Sequence, residues 1–268
     1  MTKYFTLNVK SMLTHPELLF WSIAFIEFWV LMWAYVFGAY VPKVEEAVRT
    51  YTAQAYGSLL TLSLSATAVG ITEGFLHSSR SIKFVTKYTR LSPSRFMAEH
   101  TASSMLVLSV VAAVMYASIA GVFAHKFGMY TPPVKPLQLT AVTALGCLFM
   151  YAISAFLSLA VVVLRAPRSA RFVSYIPLIL GFLAYGALWL DFRAAAYVSP
   201  FNCILALCIY YYSGVKPTTG AFVMGGGAEM DMGLTLLSLV CWVAALMALN
   251  VLLLRKMRGV GVEEIRVV

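Results

Sequence analysis

A chain of 268 residues that is 61% hydrophobic and only 12% charged lies far from the soluble average of roughly 25% charged residues, which excludes an ordinary globular domain and a disordered segment alike. The composition is that of an integral membrane protein. Its net charge of +9 needs no nucleic acid, because cations gathered on one side of a bilayer orient a membrane protein and attract anionic headgroups.

In chain order, residues 3–17 mix Tyr4, Phe5, Leu7, Val9 and Leu13 with Lys3, Lys10 and His15, a pattern suited to a short interfacial helix, with Pro16 turning the chain into the bilayer. No cleavable signal peptide is expected, since the first apolar run is too long for one. Six apolar runs follow, at about 18–41, 53–75, 102–123, 137–164, 172–190 and 233–254. Each reaches the roughly 17–25 residues that a helix needs to cross hydrocarbon, where only a helix or a closed barrel satisfies its own backbone. A seventh apolar stretch, Ala194 to Ser213, is long enough to tempt a further crossing. Charge argues against it: with six crossings, 14 of the 20 Lys and Arg fall on one side, placing both termini in the cytoplasm, whereas a seventh moves Arg255, Lys256 and Arg258 outside. Ala194 to Ser213 is therefore expected to be re-entrant or to lie at the outer face, bent near Pro200 and Asn202, within an outer region covering 191–232. The fold class is all-α, with residues 1–268 forming one transmembrane domain.

The longest polar interruption, 76–100, carries Arg80, Lys83, Lys87, Arg90 and Arg95 against the single carboxylate Glu99. Spacings of 3, 4 and 3 place the first four cations on one face of a helix. The segment thus reads as a basic amphipathic helix continuing the second span, a break at Ser92 and Pro93, and a second short helix. A membrane protein has little reason to keep such a segment unless something soluble docks there.

No catalytic or metal constellation is recognisable in the sequence. The histidines lie near or beyond the span ends, the four cysteines read as small core residues, and no H-E-x-x-H, G-x-S-x-G or Walker sequence occurs. Two carboxylates fall within spans. Glu27 sits deep enough that charging it costs about 2.5–3.5 kcal/mol on insertion scales, so it must find a cavity, a partner or a proton; Glu73 stands four residues before His77 at a span end, where a local pair is the simpler account. With Trp29 and Trp33 these carboxylates are candidates for a transport path, against the alternatives of helix packing and interfacial anchoring.

Six spans, an N-terminal interfacial helix, cytoplasmic coupling helices after the second span and an outer re-entrant hairpin before the sixth together resemble one family, the type-2 exporter class of ABC transporter permeases. The likeness is carried by KYFTLNVKSMLTHPELLFW, YTRLSPSRFMAEHTASSMLV and YVSPFNCILAL. It implies that Pro93, Arg95 and Phe96, with Glu99 following, belong to the region that couples to a cytoplasmic ATPase subunit. It further implies a second permease copy or homologue, substrate passing between the two, a location in the plasma membrane, and ATP and Mg held by the partner, so that this chain is not an enzyme by itself. The expected function is export of a hydrophobic or amphipathic substrate. The rival expectations are a non-transporting membrane anchor of a larger complex, a lipid-modifying enzyme, and an ion-coupled transporter using Glu27.

Overall fold

The computed structural model describes residues 3–88, 93–164, 166–223 and 226–257, with side chains for 4–76, 95–164, 166, 168–223 and 226–254. It is 83% helical, and pairing outside the helices is limited, among the described residues, to two isolated bridges, Asp191 with Gly220 and Thr218 with Glu229. Among the described residues, six helices are long and apolar enough to cross a membrane, the make-up of a multi-pass membrane protein. The elements are α1 (Lys3–Leu13), α2 (Pro16–Tyr40), α3 (Glu45–Tyr88), α4 (Pro93–Phe127), α5 (Pro136–Val163), α6 (Ala170–Leu188), α7 (Ala195–Val198), α8 (Pro200–Ser213) and α9 (Met232–Met257). The end of the bundle that holds α1 and the α3–α4 turn is called proximal below, and the end that holds residues 190–231 distal.

The middle of the bundle is α3, the most buried of the six long helices. Its sequence explains why: SLLTLSLSATAVGIT alternates aliphatic residues with Ser, Thr, Ala and Gly, which let neighbouring backbones approach. Thr61, Ser65, Thr67 and Thr72 each return their hydroxyl to the carbonyl four residues earlier at 2.7–2.8 Å, so the buried hydroxyls are satisfied within the helix. Others bridge helices. Ser154 and Ser158 of α5 donate to the Ala68 and Thr72 carbonyls of α3 at 3.0 and 3.1 Å, Ser63 donates to the Ser22 carbonyl of α2, and Asn250 of α9 donates to the Ala152 carbonyl at 2.9 Å. Close approach has the same origin: a Cβ on Gly181 of α6 would stand 2.5 Å from Ser65 Oγ.

The first apolar run forms a helix as predicted, but an irregular one. Two π-helical stretches, Phe20–Ala24 and Met32–Val36, and a closing 3₁₀ stretch, Phe37–Tyr40, interrupt α2. These wide turns change which residues face α3. Within the second π-helical stretch, Trp33 Nε1 donates to Tyr185 Oη at 2.9 Å, while Tyr51 Oη donates to the Trp33 carbonyl at 2.7 Å.

The stretch Ala194 to Ser213 is two helices, not one. Ser199 adopts extended backbone (φ −79°, ψ 111°) and caps α8, its Oγ accepting from Asn202 N, and Pro200 supplies the first helical position. The α8 segment is 14 residues, about 21 Å long, short of the roughly 30 Å of hydrocarbon. Phe201 meets Phe149 at 5.3 Å, thirteen residues down α5, whereas Tyr211 and Tyr212 carbonyls accept from Lys135 N and Val134 N just before α5 begins. The helix therefore runs antiparallel to α5 and ends distally, where Gly214 terminates it in the left-handed conformation (φ 81°). Phe201 to Ile209 are all buried, so α8 is core, and the alternative of a helix lying on the outer face does not hold.

Residues 188–192 and 218–223 fold together at the distal end. Ala221 N and Val223 N donate to the Leu190 and Leu188 carbonyls at 3.1 and 3.0 Å, and Gln54 Nε2 reaches the Phe222 carbonyl at 3.2 Å. Asp191 Oδ1 accepts from Thr219 Oγ1 at 2.6 Å and Arg193 N at 2.9 Å; these bonds, Thr219 foremost, hold its carboxyl below the usual carboxylate range. A depressed folded-state value means that the contribution of Asp191 is fully present above the ordinary carboxylate value and is lost as pH falls through the lowered one. Protection of 190–231 from a soluble protease is therefore expected to persist from neutral to mildly acidic pH and to fail only in strong acid. Loss of protection near pH 6 would assign the ordering to another group.

Candidate functional site

The predicted docking region lies at the proximal end. The α3 helix does not stop at the end of its apolar run: it continues from Leu76 to Tyr88, carrying the positions of Arg80, Lys83 and Lys87 on a helical backbone. The side chains of these three, and Arg90 and Ser92 altogether, lie outside the described residues. Pro93 opens α4, as expected, but the second short helix does not exist as a separate element. From Pro93 the helix runs unbroken to Phe127 and becomes the third span. Nothing between Ser94 and Thr101 interrupts it, since that stretch holds no Gly or Pro.

Within this first turn of α4 the predicted residues part company. Arg95 is exposed and its Nε donates to Glu99 Oε1 at 3.1 Å, an i,i+4 ion pair on the solvent side, with the Arg95 side chain 56% exposed and that of Glu99 14%. Phe96, predicted to dock a partner, is instead 2% exposed. Its ring faces Tyr4 of α1 at 4.9 Å, Phe75 of α3 at 6.4 Å and His100 at 5.9 Å, and Phe75 and His100 meet edge-on at 4.8 Å. Leu159 of α5 and Leu253 and Leu254 of α9 close the cluster. Five helices thus converge on one aromatic knot. Phe96 holds the start of α4 against the bundle, while the Arg95 side chain is exposed and that of Glu99 is largely covered.

The knot also binds α1, which packs on α4 through Tyr4 and through Asn8, whose Nδ2 donates to Ser103 Oγ at 2.5 Å. Tyr4, Phe75 and His100 were not singled out by sequence reasoning. Phe96 and His100 stand four apart, which places them on one face of α4, but the partners from α1, α3, α5 and α9 are remote in sequence.

The second candidate set does not assemble. The α2 and α3 helices run antiparallel, with Leu18 against Gly70, the Ser22 carbonyl on Ser63 and the Trp33 carbonyl on Tyr51. Glu27 falls between the Ser63 and Tyr51 levels, so it lies at least about 15 Å from Glu73 along α3. Glu27 is half-buried, its Oε1 is shielded and has no hydrogen-bond partner among the described residues, and the same holds for Trp29 Nε1. Trp33 is 3% exposed and bonded to two helices, which makes it a packing anchor. Glu73 is half-buried at the proximal end. Any carboxylate on a path through the bundle is thus Glu27, with Trp29 beside it.

No protein-family model matches the chain, and no curated protein matches it.

Proposed function

We propose that this chain is the membrane-spanning permease subunit of an ABC-type exporter, which moves a hydrophobic or amphipathic substrate outward and is driven by ATP hydrolysis in a separate cytoplasmic subunit. The observation that supports this most is α3. One helix of 44 residues, about 65 Å long, is both the most buried of the six long helices and the carrier of a basic extension beyond it. A soluble subunit gripping that extension and the exposed Arg95 displaces an element in contact with α2, α4, α5, α6 and α8. The aromatic knot at its base makes α3 and α4 move together.

In this reading the proximal end is cytoplasmic, both termini lie there, α1 rests at the interface, and α7 with α8 forms a re-entrant hairpin from the outer side. A second permease copy completes the path, to which Glu27 and Trp29 contribute. ATP and Mg belong to the partner.

The test is gentle extraction of the full chain from its own membranes, with mild crosslinking, followed by identification of what accompanies it. An ATPase subunit is expected, and vesicles holding both should show ATP-dependent movement of an amphipathic probe. Recovery of other membrane subunits without an ATPase would favour a static anchor. Arg95→Ala should leave folding and insertion unchanged while lowering transport per ATP hydrolysed. Coupled transport at the wild-type ratio in that variant removes Arg95 from the docking surface.

A further inference from the structure

A cavity of about 390 Å³ lies between α3, α4 and α5 in the distal half of the bundle. Ser109 and Ala113 of α4 and Thr140 and Ala144 of α5, all exposed, edge it, so it opens sideways. From Pro136 at its rim to Cys147 at its foot is eleven residues of α5, about 16 Å, or about half the hydrocarbon thickness. It ends blind. Tyr56, 3% exposed, forms its back wall, and behind Tyr56 stands Tyr212 of α8 at 5.6 Å. A molecule that enters from the bilayer can only return there.

The lining is unusual for a surface facing lipid. It carries hydroxyls at three levels, Tyr116 and Thr140 near the rim, Tyr56 and Thr143 below, and Ser109 at the foot beside the apolar Ala112 and Cys147. Hydroxyls open to hydrocarbon are costly unless something polar meets them. Their mutual bonds are long: Tyr56 Oη to Thr143 Oγ1 is 3.3 Å and Tyr116 Oη to Tyr130 Oη 3.2 Å, against roughly 2.7–2.8 Å for a good O–H···O bond. Each pair retains room for a third oxygen. Among the described residues no Asp, Glu, Lys or Arg lines the cavity, and Lys135, beside the rim, is occupied: its Nζ donates to Tyr210 Oη at 2.9 Å and stands 4.4 Å from the ring centre.

We propose that this cleft is a binding site for a single uncharged, hydroxyl-bearing lipid taken from the distal half of the bilayer. Its free hydroxyl meets Tyr116 and Thr140, a second oxygen such as an ester or ether meets Tyr56 and Thr143, and its chain covers Ala112 and Cys147. The absence of a free cation disfavours a phosphate headgroup. The blind end makes the occupant a resident rather than a transported molecule, so the proposal stands independently of the exporter reading.

The experiment uses the full chain in lipid nanodiscs with a diacylglycerol that carries a photoactivatable diazirine on one acyl chain. Two controls carry the same chain, one with its hydroxyl methylated and one bearing a phosphoglycerol headgroup. Labelled peptides are mapped by mass spectrometry. Labelling of 109–116 and 140–147 by the free-hydroxyl probe should exceed that at the lipid-facing residues Leu237 and Val240 of α9 by about tenfold, the equivalent of about 1.4 kcal/mol. It should collapse in Ala144→Phe and in Ala113→Leu, which fill the cleft from opposite walls at exposed positions. Tyr116→Phe should abolish the preference for the free-hydroxyl over the methylated probe. Labelling no higher than at α9, or equal labelling by the phosphoglycerol probe, overturns the proposal, and because both comparisons are made on the unaltered protein they decide it even where a variant fails to fold.

Discussion

Phe96→Ala is expected to destabilise the protein by about 3 kcal/mol, at the lower end of the range for deleting a buried phenyl ring. The lower end applies because a membrane protein gains little from transfer out of water near a span end, whereas the lost packing remains lost. The ring fills the centre of a knot contributed by Tyr4, Phe75, His100 and Leu159, together with Leu253 and Leu254. Neighbours from five helices cannot all collapse into the space, so a cavity persists. For a chain of this size such a loss corresponds to a fall in melting temperature of roughly 6–12 °C, readable from tryptophan fluorescence in a mild detergent. Exposure of α1 to protease should rise at the same time, because Asn8 to Ser103 becomes its main remaining tie at that end. Arg95→Ala, one residue away, removes the exposed half of an i,i+4 ion pair and should shift stability by no more than about 1 kcal/mol. The two variants thus separate docking from holding. Equal stability of both would mean that Phe96 is not the centre of the knot and would return it to the docking surface.

That contrast also marks what was legible in the sequence. The six long helices were, since runs of 19 or more apolar residues admit few other solutions, and α3 was seen to continue into a basic helix because Arg80, Lys83 and Lys87 keep its 3.6-residue period. The bend expected near Pro200 and Asn202 falls at Ser199, the residue that caps α8. The fate of Phe96 was not legible. An aromatic residue next to an arginine in a polar segment reads as exposed until the Tyr4, Phe75 and Leu159 positions that cover it are known, and these lie up to about ninety residues away in the chain. The same holds for α4, where Pro93 marks the start but the continuation past Ala102 rests on Phe96 and His100 packing against Phe75 of a neighbouring helix. The π-helical stretches of α2 leave no compositional trace, because they answer to the shape of α3. Glu27 and Glu73 illustrate the limit for sites: both are carboxylates in spans, and only the antiparallel register of α2 on α3 shows that they cannot act together.

The other large effect is expected at Gly57. A Cβ there would lie 3.0 Å from both the carbonyl oxygen and Cδ1 of Leu205 and 3.3 Å from Ile209 Cγ1. Side chains can give by a few tenths of an ångström, but the Leu205 carbonyl belongs to α8, which is fixed at both ends. Phe201 packs edge-on against Phe149 of α5 at one, and at the other the Tyr211 and Tyr212 carbonyls bind Lys135 and Val134 while Tyr212 Oη donates to the Thr131 carbonyl at 3.0 Å. Gly57→Ala should consequently cost little, since the tight contact is offset by the roughly 1 kcal/mol by which alanine exceeds glycine in a helix interior. Gly57→Val adds two methyl groups where one carbon already touches backbone, and over-packing of this kind costs about 1–3 kcal/mol. The strain must be relieved by moving α8 away from α3. Cys203 and Cys208 report the movement, because both are fully buried in α8. In a background where the exposed Cys241 is replaced by alanine, a membrane-permeant maleimide should leave the parent protein nearly unmodified, modify Gly57→Ala slightly and modify Gly57→Val readily at Cys208. The same displacement withdraws Tyr212 from behind Tyr56, so the valine variant should also lose discrimination among lipids at the cleft. Unchanged thiol protection together with an unchanged melting temperature in Gly57→Val would mean that α8 is free to shift as a body, which is incompatible with its fixation at both ends.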